Sequence, residues 1–386
     1  MLCIVGTASA ADEPLNENLT ATDSGGDIGN IANDELGVCD SQDELSAAGD
    51  TITVDASGSE DYQTISAAVS AASGGETIFI KNGEYSESNT IKINKSLNFV
   101  GESNDGVSLK LAQSGKISLI ESNTNGITIS FKNLIFKDSE STAGSGLIRF
   151  YGLAPIDINF TDCTFSGLTN KYGLQFATTG TTNIEGCKFT NLISKSSNGA
   201  TGIYNTAAGK FNIKNTIFEN LQYVNTAGQI GAVIYMSSED STLNMENVTI
   251  QNFNGAANSI VRSTGTVDIK KSKFLNNNVQ LSASGSVGDS LFYIGSSGKM
   301  TMEQSIIANN TIAKNVVYMS DSATVTMNYN NIYENTFDAS YQGGFKTNKG
   351  NLNADYNYWG SNDKPSTPTV NNWVVEDNGV FKLNDG

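Results

Sequence analysis

The sequence predicts an all-β chain: a right-handed parallel β-helix, a solenoid of coils of about 28 residues, with an N-terminal capping helix. Three observations predict it. The segments KNLIFKD, TDCTFSG, EGCKFTN, KNTIFEN, ENVTIQN, KKSKFLN, EQSIIAN and YNNIYEN repeat one pattern, with a shared apolar position at Phe136, Phe165, Phe189, Phe218, Ile250, Phe274, Ile307 and Tyr333. Two residues beyond it stands Asn in six of the eight copies: Asn191, Asn220, Asn252, Asn276, Asn309 and Asn335. Between copies the chain offers only short alternating strands such as GIYNT and KFNIK, with nothing long or helical enough for a βαβ crossover.

Each element follows from this frame. The apolar column fills a core, because coils stack about 4.8 Å apart and like residues superpose. The Asn column marks a tight bend, since Asn tolerates the left-handed region and bonds locally to backbone. Copies are 24 to 33 residues apart, and the extra length falls after the Asn, where a loop can grow without disturbing the stack. Ahead of the coils, residues 61–72 (DYQTISAAVSAA) place Ile65, Ala68, Val69 and Ala72 on one helical face. Ser59 or Asp61 is the expected cap and Gly74-Gly75 the stop. The strand TITVD opens the ordered region near Thr51, residues 51–76 form the N-terminal cap, and residues 351–386 a closing segment with Trp359 and Trp373 over the last coil. Cys163 and Cys187 fall in one column of adjacent coils and read as buried small side chains.

Charge divides the chain. Residues 1–61 hold 14 acids and no base, leaving 26 acids against 23 bases in the remainder, so the acidity belongs to a leader and the main body is close to neutral. Residues 11–50 are polar and poor in aromatics and are expected to be disordered. Met1–Ala10 is a short apolar stretch ending in Ala8-Ser9-Ala10, read as the remnant of a signal peptide, which places the mature chain outside the cell. No basic stripe is present for nucleic acid, and no apolar run approaches the ~20 residues of a membrane-spanning helix. With no His and no Cys-x-x-Cys pair, no metal or other cofactor is expected, and the elongated chain reads as a monomer.

The stretch DYQTISAAVSAASGGETIFIKNGEYSES followed by INKSLNFVGES resembles the opening of pectin-lyase-like β-helices. The closing YNYWGSNDKPS and NNWVVE, after coils ending FTN, FEN and YEN, resemble the adhesin-like surface proteins of methanogenic archaea. FLNN and GAVIYM are similar to repeats of bacterial polymorphic membrane proteins. The resemblance covers roughly residues 50–376 and implies a β-helix displayed at the cell surface and used for attachment to a surface glycan or a cell-surface protein.

Its fold implies an alternative, a carbohydrate-active enzyme such as a polysaccharide lyase or esterase. A lyase of this kind needs a carboxylate cluster for Ca²⁺ and a nearby base. The chain's two arginines, Arg149 and Arg262, fall in equivalent strands four coils apart, about 19 Å at the strand spacing. Asp157 with Asp162, and Glu239 with Asp240, do not recur in a neighbouring coil as a hydrolytic cleft would suggest. The Gln-Asp-Thr and Asp-Phe-Ile-Phe-Gly contexts of pectin esterases are missing. These absences point to a binding protein and not an enzyme.

One further column stands out. The strands LIRFY, GLQFA, GIYNT, VIYMS, IVRST, LFYIG, VVYMS and GFKTN carry an inward apolar residue followed by an outward one: Arg149, Gln175, Tyr204, Tyr235, Arg262, Tyr293, Tyr318 and Lys346. Tyrosines and arginines in register form either a recognition strip or a set of cross-strand pairs that stabilise the sheet. Both readings stay open at this point.

Overall fold

The computed structural model describes residues 50–384 apart from 113–117, 138–145, 153–154, 170–171, 195–198, 225–230, 257–258, 282–288, 338–343, 348–349 and 367. The expected signal segment and all of the leader but Asp50 lie outside the described residues.

The repeats fold as a parallel β-helix. A single coil shows the construction: Gly199–Asn205, then Lys210–Lys214, Ile217–Glu219 and the two-residue strand Gln222–Tyr223. Equivalent strands of successive coils pair in parallel, giving sheets of ten, twelve, ten and six strands in that order along the coil. We call them the ladder sheet, the long sheet, the short-strand sheet and the corner sheet. Three of these strands show in the sequence as short segments; the corner sheet adds a fourth, too short to show as alternation. Alternation drives the rest. In Lys210–Lys214 (KFNIK), Phe211 and Ile213 are buried while both lysines are exposed.

The apolar column superposes as predicted through Phe136, Phe165, Phe189, Phe218, Ile250, Phe274 and Ile307. The last copy slips by one. Ile307 pairs with Ile332, and Tyr333 stands one place on, half-buried. Both residues of Ile332-Tyr333 are apolar enough to fit the pattern, and only the pairing distinguishes them. Rings in the column stack face to face, Phe165–Phe189 at 4.5 Å and Phe189–Phe218 at 4.4 Å between centroids. A second stack, Phe99–Phe131–Phe160 at 5.0 Å steps, meets the first edge-on.

The bends explain the asparagines. Asn191, Asn220, Asn252, Asn276 and Asn309 hold φ between +55° and +56° in the turn that leaves the short-strand sheet. Asn pays little for this conformation because its short side chain bonds locally. The slipped copy puts Glu334, not Asn335, at that bend with φ +54°. Backbone satisfaction falls to the next residue instead. Asn277 Oδ1 accepts from the Phe253 N–H (3.0 Å), Asn310 Oδ1 from the Asn277 N–H (2.9 Å) and Asn335 Oδ1 from the Asn310 N–H (3.1 Å). Cys163 and Cys187 do the same at the preceding bend. Both thiols are free and buried, and the Cys163 N–H donates to Cys187 Sγ at 3.4 Å. Burial, followed by the neighbouring Cys187, pushes the Cys163 thiol well up.

The cap is a helix over Ile65–Ala71, shorter than predicted. Its N-cap is Thr64, whose hydroxyl accepts from the Ala67 N–H at 3.3 Å, and not Ser59 or Asp61. Glu87, itself buried, supplies a further acceptor there, taking the Ile65 N–H at 2.7 Å. Ile65, Ala68 and Val69 face the core. At the other end the strands Trp373–Asp377 and Val380–Asn384 form an antiparallel hairpin. Trp373 packs with Ala354 and Val370 in a small cluster, and Trp359 touches both this cluster and the main core.

One core group makes stability depend on pH. Tyr223 is buried in the corner sheet, with Gly231 the only residue type that leaves room for its ring. Burial, and to a lesser degree Tyr172, pushes its phenol well up from the usual value. A raised folded pKa means the stabilisation is complete below the unfolded value of about 10 and is lost as pH rises beyond it. Tyr223→Phe should therefore move alkaline unfolding, followed by circular dichroism between about pH 9 and 12, to higher pH. An unchanged alkaline midpoint would contradict this account.

Candidate functional site

The predicted column is one row of the ladder sheet. Arg149 pairs with Gln175, Gln175 with Tyr204, Tyr204 with Tyr235, Tyr235 with Arg262, Arg262 with Tyr293, Tyr293 with Tyr318 and Tyr318 with Lys346. The residues before them, Ile148, Leu174, Ile203, Ile234, Val261, Phe292 and Val317, are fully buried, so alternation turns the row outward. The row also extends beyond the prediction, to Glu121 and Lys92. LIES repeats the apolar-apolar-polar pattern of LIRF, which is the signal that would have found Glu121. Tyr318 is a correction: it is 3% exposed, its ring covered on one side by Tyr293. For Lys346 the backbone position is described and the side chain is not.

Within the row, aromatic faces are turned on one another. Tyr204 stacks on Tyr235 at 5.3 Å and Tyr293 on Tyr318 at 5.2 Å, while Tyr172 meets Tyr204 edge-on at 5.2 Å. Arg262 sits between the two pairs, its guanidinium 5.4 Å from the Tyr235 ring and 3.6 Å from that of Tyr293. These contacts support the sheet-stabilising reading, and they leave ring edges and hydroxyls, not flat faces, toward solvent. Burial, then Tyr235 and Tyr172, pushes the Tyr204 phenol up. Tyr293 Oη and Ser320 Oγ share a hydrogen bond of 3.0 Å.

The two arginines differ. Arg149 faces Glu121 at 3.9 Å and lies over the Tyr151 ring at 4.5 Å. Arg262 has no carboxylate within ion-pair distance among the described residues, and its Nε is enclosed without an acceptor. Four strand steps separate them, as the sequence indicated, so they act at separate points. The outward row of the long sheet makes a contrast. There Asn159, Asn183, Asn212 and Asn244 donate down the row, Nδ2 to Oδ1 at 2.8 Å in three successive steps. Those amides are satisfied by one another. The Tyr/Arg row instead carries Arg262, a cation with no ion-pair partner among the described residues.

Of the other acids weighed from sequence, Asp157 accepts the Thr181 N–H at 2.8 Å, Asp162 forms a bend with φ +52°, and Glu239 and Asp240 are exposed in a turn. The structure brings none of them to the ladder. No group of three or more metal-ligating side chains occurs among the described residues.

No family model matches the sequence, and no curated protein matches it. Solved structures do resemble it. A PL6-family alginate lyase, AlyGC, superposes with a TM-score of 0.47 at 14% identity, over 81% of this chain and 40% of that one. The pectin methylesterase of Aspergillus niger gives 0.38 at 17% identity, over 78% of this chain and 90% of that one. The carrot pectin methylesterase gives 0.39 at 15%, over 80% and 90%. The chain thus spans 40% of the length of the alginate lyase. These likenesses are to pectin-lyase-like right-handed β-helices and concern the fold. They bear out the β-helix half of the sequence resemblance and do not bear on its adhesin half. The expectation of a non-enzyme is overturned, because the neighbours in question are a lyase and esterases. That expectation rested on motifs missing from the sequence, and a β-helix can assemble a site from side chains a coil apart that no linear motif records. Among the described residues no helix is long and apolar enough to cross a membrane.

Proposed function

We propose that this chain is a carbohydrate-active protein that takes an extended acidic polysaccharide along the Lys92–Lys346 row of the ladder sheet. The observation that carries the proposal is Arg262, a cation held between Tyr235 and Tyr293 with an enclosed Nε and no counter-ion among the described residues. An anionic sugar lying across the tyrosine hydroxyls supplies that counter-ion. Coils repeat about every 4.8 Å along the axis, close to the rise of one sugar residue, so an extended chain stays in step with the row. Glu121 is the one carboxylate in the row and lies beside Arg149, its side chain 14% exposed. It stands where it can exchange a proton with a chain seated there, Arg149 balancing an adjacent sugar carboxylate. Export, read from Ala8-Ser9-Ala10, belongs to the same proposal.

The test uses the full chain with alginate, polygalacturonate and a neutral β-glucan, following both binding and release of reducing or unsaturated ends. Acidic polymers are expected to bind with an affinity that falls with salt, and Arg262→Gln to weaken them about tenfold or more, as expected when a charge-assisted contact of about 1.5–3 kcal/mol is lost. Glu121→Gln is expected to slow turnover about 10²–10⁴-fold with binding retained. Changing Tyr204, Tyr235, Tyr293 and Tyr318 together to Ser separates binding from scaffolding. A variant that loses thermal stability yet binds as well per folded molecule would sink the proposal.

A further inference from the structure

The closing end of the solenoid carries a second site. A cleft of about 170 Å³ opens beside the last full coil, walled by Ile332, Tyr333, Phe337, Phe345 and Trp359, with Glu334 at its rim. Trp359 meets Phe345 edge-on at 5.6 Å. Its indole N–H is enclosed and has no acceptor among the described residues, an omission that folded proteins seldom tolerate without a reason.

Glu334 gives an independent observation. In the six consecutive described coils from Gly167 to Asn309, the bend leaving the short-strand sheet is Gly or Asn: Gly167, Asn191, Asn220, Asn252, Asn276 and Asn309, with φ between +55° and +66°. Glu334 follows these six with a long charged side chain at φ +54°, in the left-handed region that Glu disfavours. It is exposed, and its side chain makes no hydrogen bond or ion pair among the described residues. A residue kept in an unfavourable backbone state, at a bend that borders a cleft, is where a functional constraint is expected.

We propose that this cleft binds a single neutral pyranose, separate from the polymer row. A pyranose presents an apolar C–H face to aromatic walls and hydroxyls at its edge. Those hydroxyls donate to the Glu334 carboxylate and accept from the Trp359 N–H, two groups without a partner among the described residues. Aromatic walls with a carboxylate also suit a quaternary ammonium. The indole N–H is a donor that such a cation cannot satisfy, and it decides for the sugar.

The chain's two tryptophans, Trp359 and Trp373, make the test direct. The full chain is titrated with methyl β-D-glucopyranoside, methyl β-D-galactopyranoside and methyl α-D-mannopyranoside while tryptophan emission is followed. At least one is expected to change the emission saturably, and Trp359→Phe to remove that change. Glu334→Asn is expected to weaken binding at least tenfold while holding or raising the melting temperature, since it installs the residue the other bends use. Arg262→Gln should leave the titration unaltered, so this result and the fate of the polymer row are read separately. The proposal is overturned if no glycoside saturates, if Glu334→Asn binds within twofold of the original chain, or if tetramethylammonium saturates the site and the glycosides do not.

Discussion

Phe189→Ala should cost about 3–5 kcal/mol of unfolding free energy, the range for deleting a buried aromatic ring. Phe189 is fully buried and stacked on both sides, by Phe165 at 4.5 Å and 14° and by Phe218 at 4.4 Å and 10°. Its loss removes two ring contacts as well as apolar burial, each stack being worth about 0.5–1.5 kcal/mol beyond area. The upper half of the range is expected because the site cannot collapse. Parallel pairing fixes the coil spacing at Lys188–Thr190 on both sides, so neighbouring rings cannot move in to fill the gap. Phe189→Leu, which keeps most of the volume, should cost markedly less. Denaturant titration measures both, and a loss below about 1 kcal/mol for the alanine variant would show that the column does not carry the core.

Lys314→Met is expected to be nearly as damaging, for an electrostatic reason. Lys314 Nζ lies 3.1 Å from Asp289 Oδ2, with side chains 5% and 0% exposed. Removing the lysine leaves a buried carboxylate without its cation, which typically costs about 3–5 kcal/mol. The double variant Asp289→Asn, Lys314→Met should recover much of that loss, because a buried ion pair gains little over well-packed neutral groups. If the single and double variants melt together, the pair is not coupled as its geometry indicates. Ser259, Ser290 and Asn315 share the neighbouring column of the ladder sheet, so the pair anchors a polar seam at that edge of the coil.

The repeat made most of the fold legible, because in a solenoid a spacing in sequence is a neighbour in space. The aromatic column, the asparagine bends and the Tyr/Arg row are all single positions read down successive coils. Failures came where the period carried no information. Ile332-Tyr333 offered two apolar residues for one place, and the adjacent Asn335 made the wrong frame look regular. Lys92 and Glu121 belong to the row but precede the first clear repeat copy. The helix began at Thr64 because Glu87, from a strand 22 residues on, completes its cap. Nothing in the sequence marks Lys314 and Asp289 as a pair, and only stacking reveals that they meet inside. The cleft at the closing end joins Val316, Tyr333, Phe345 and Trp359, positions with no common spacing. The non-enzymatic expectation failed for the same reason: it looked for chemistry in linear motifs.

Coil-to-coil pairing has a mechanical corollary. All strands of the four solenoid sheets pair in parallel with the same strand of the next coil, so their hydrogen bonds run along the stacking direction. Drawn apart along that direction, the bonds are loaded end-on and a coil should peel away as a unit. Coils of 24 to 33 residues would each release roughly 80–120 Å of slack, at about 3.3–3.6 Å per residue. Stretched between two anchors, the protein would yield as a series of unequal, resettable steps, a shock absorber graded by coil length.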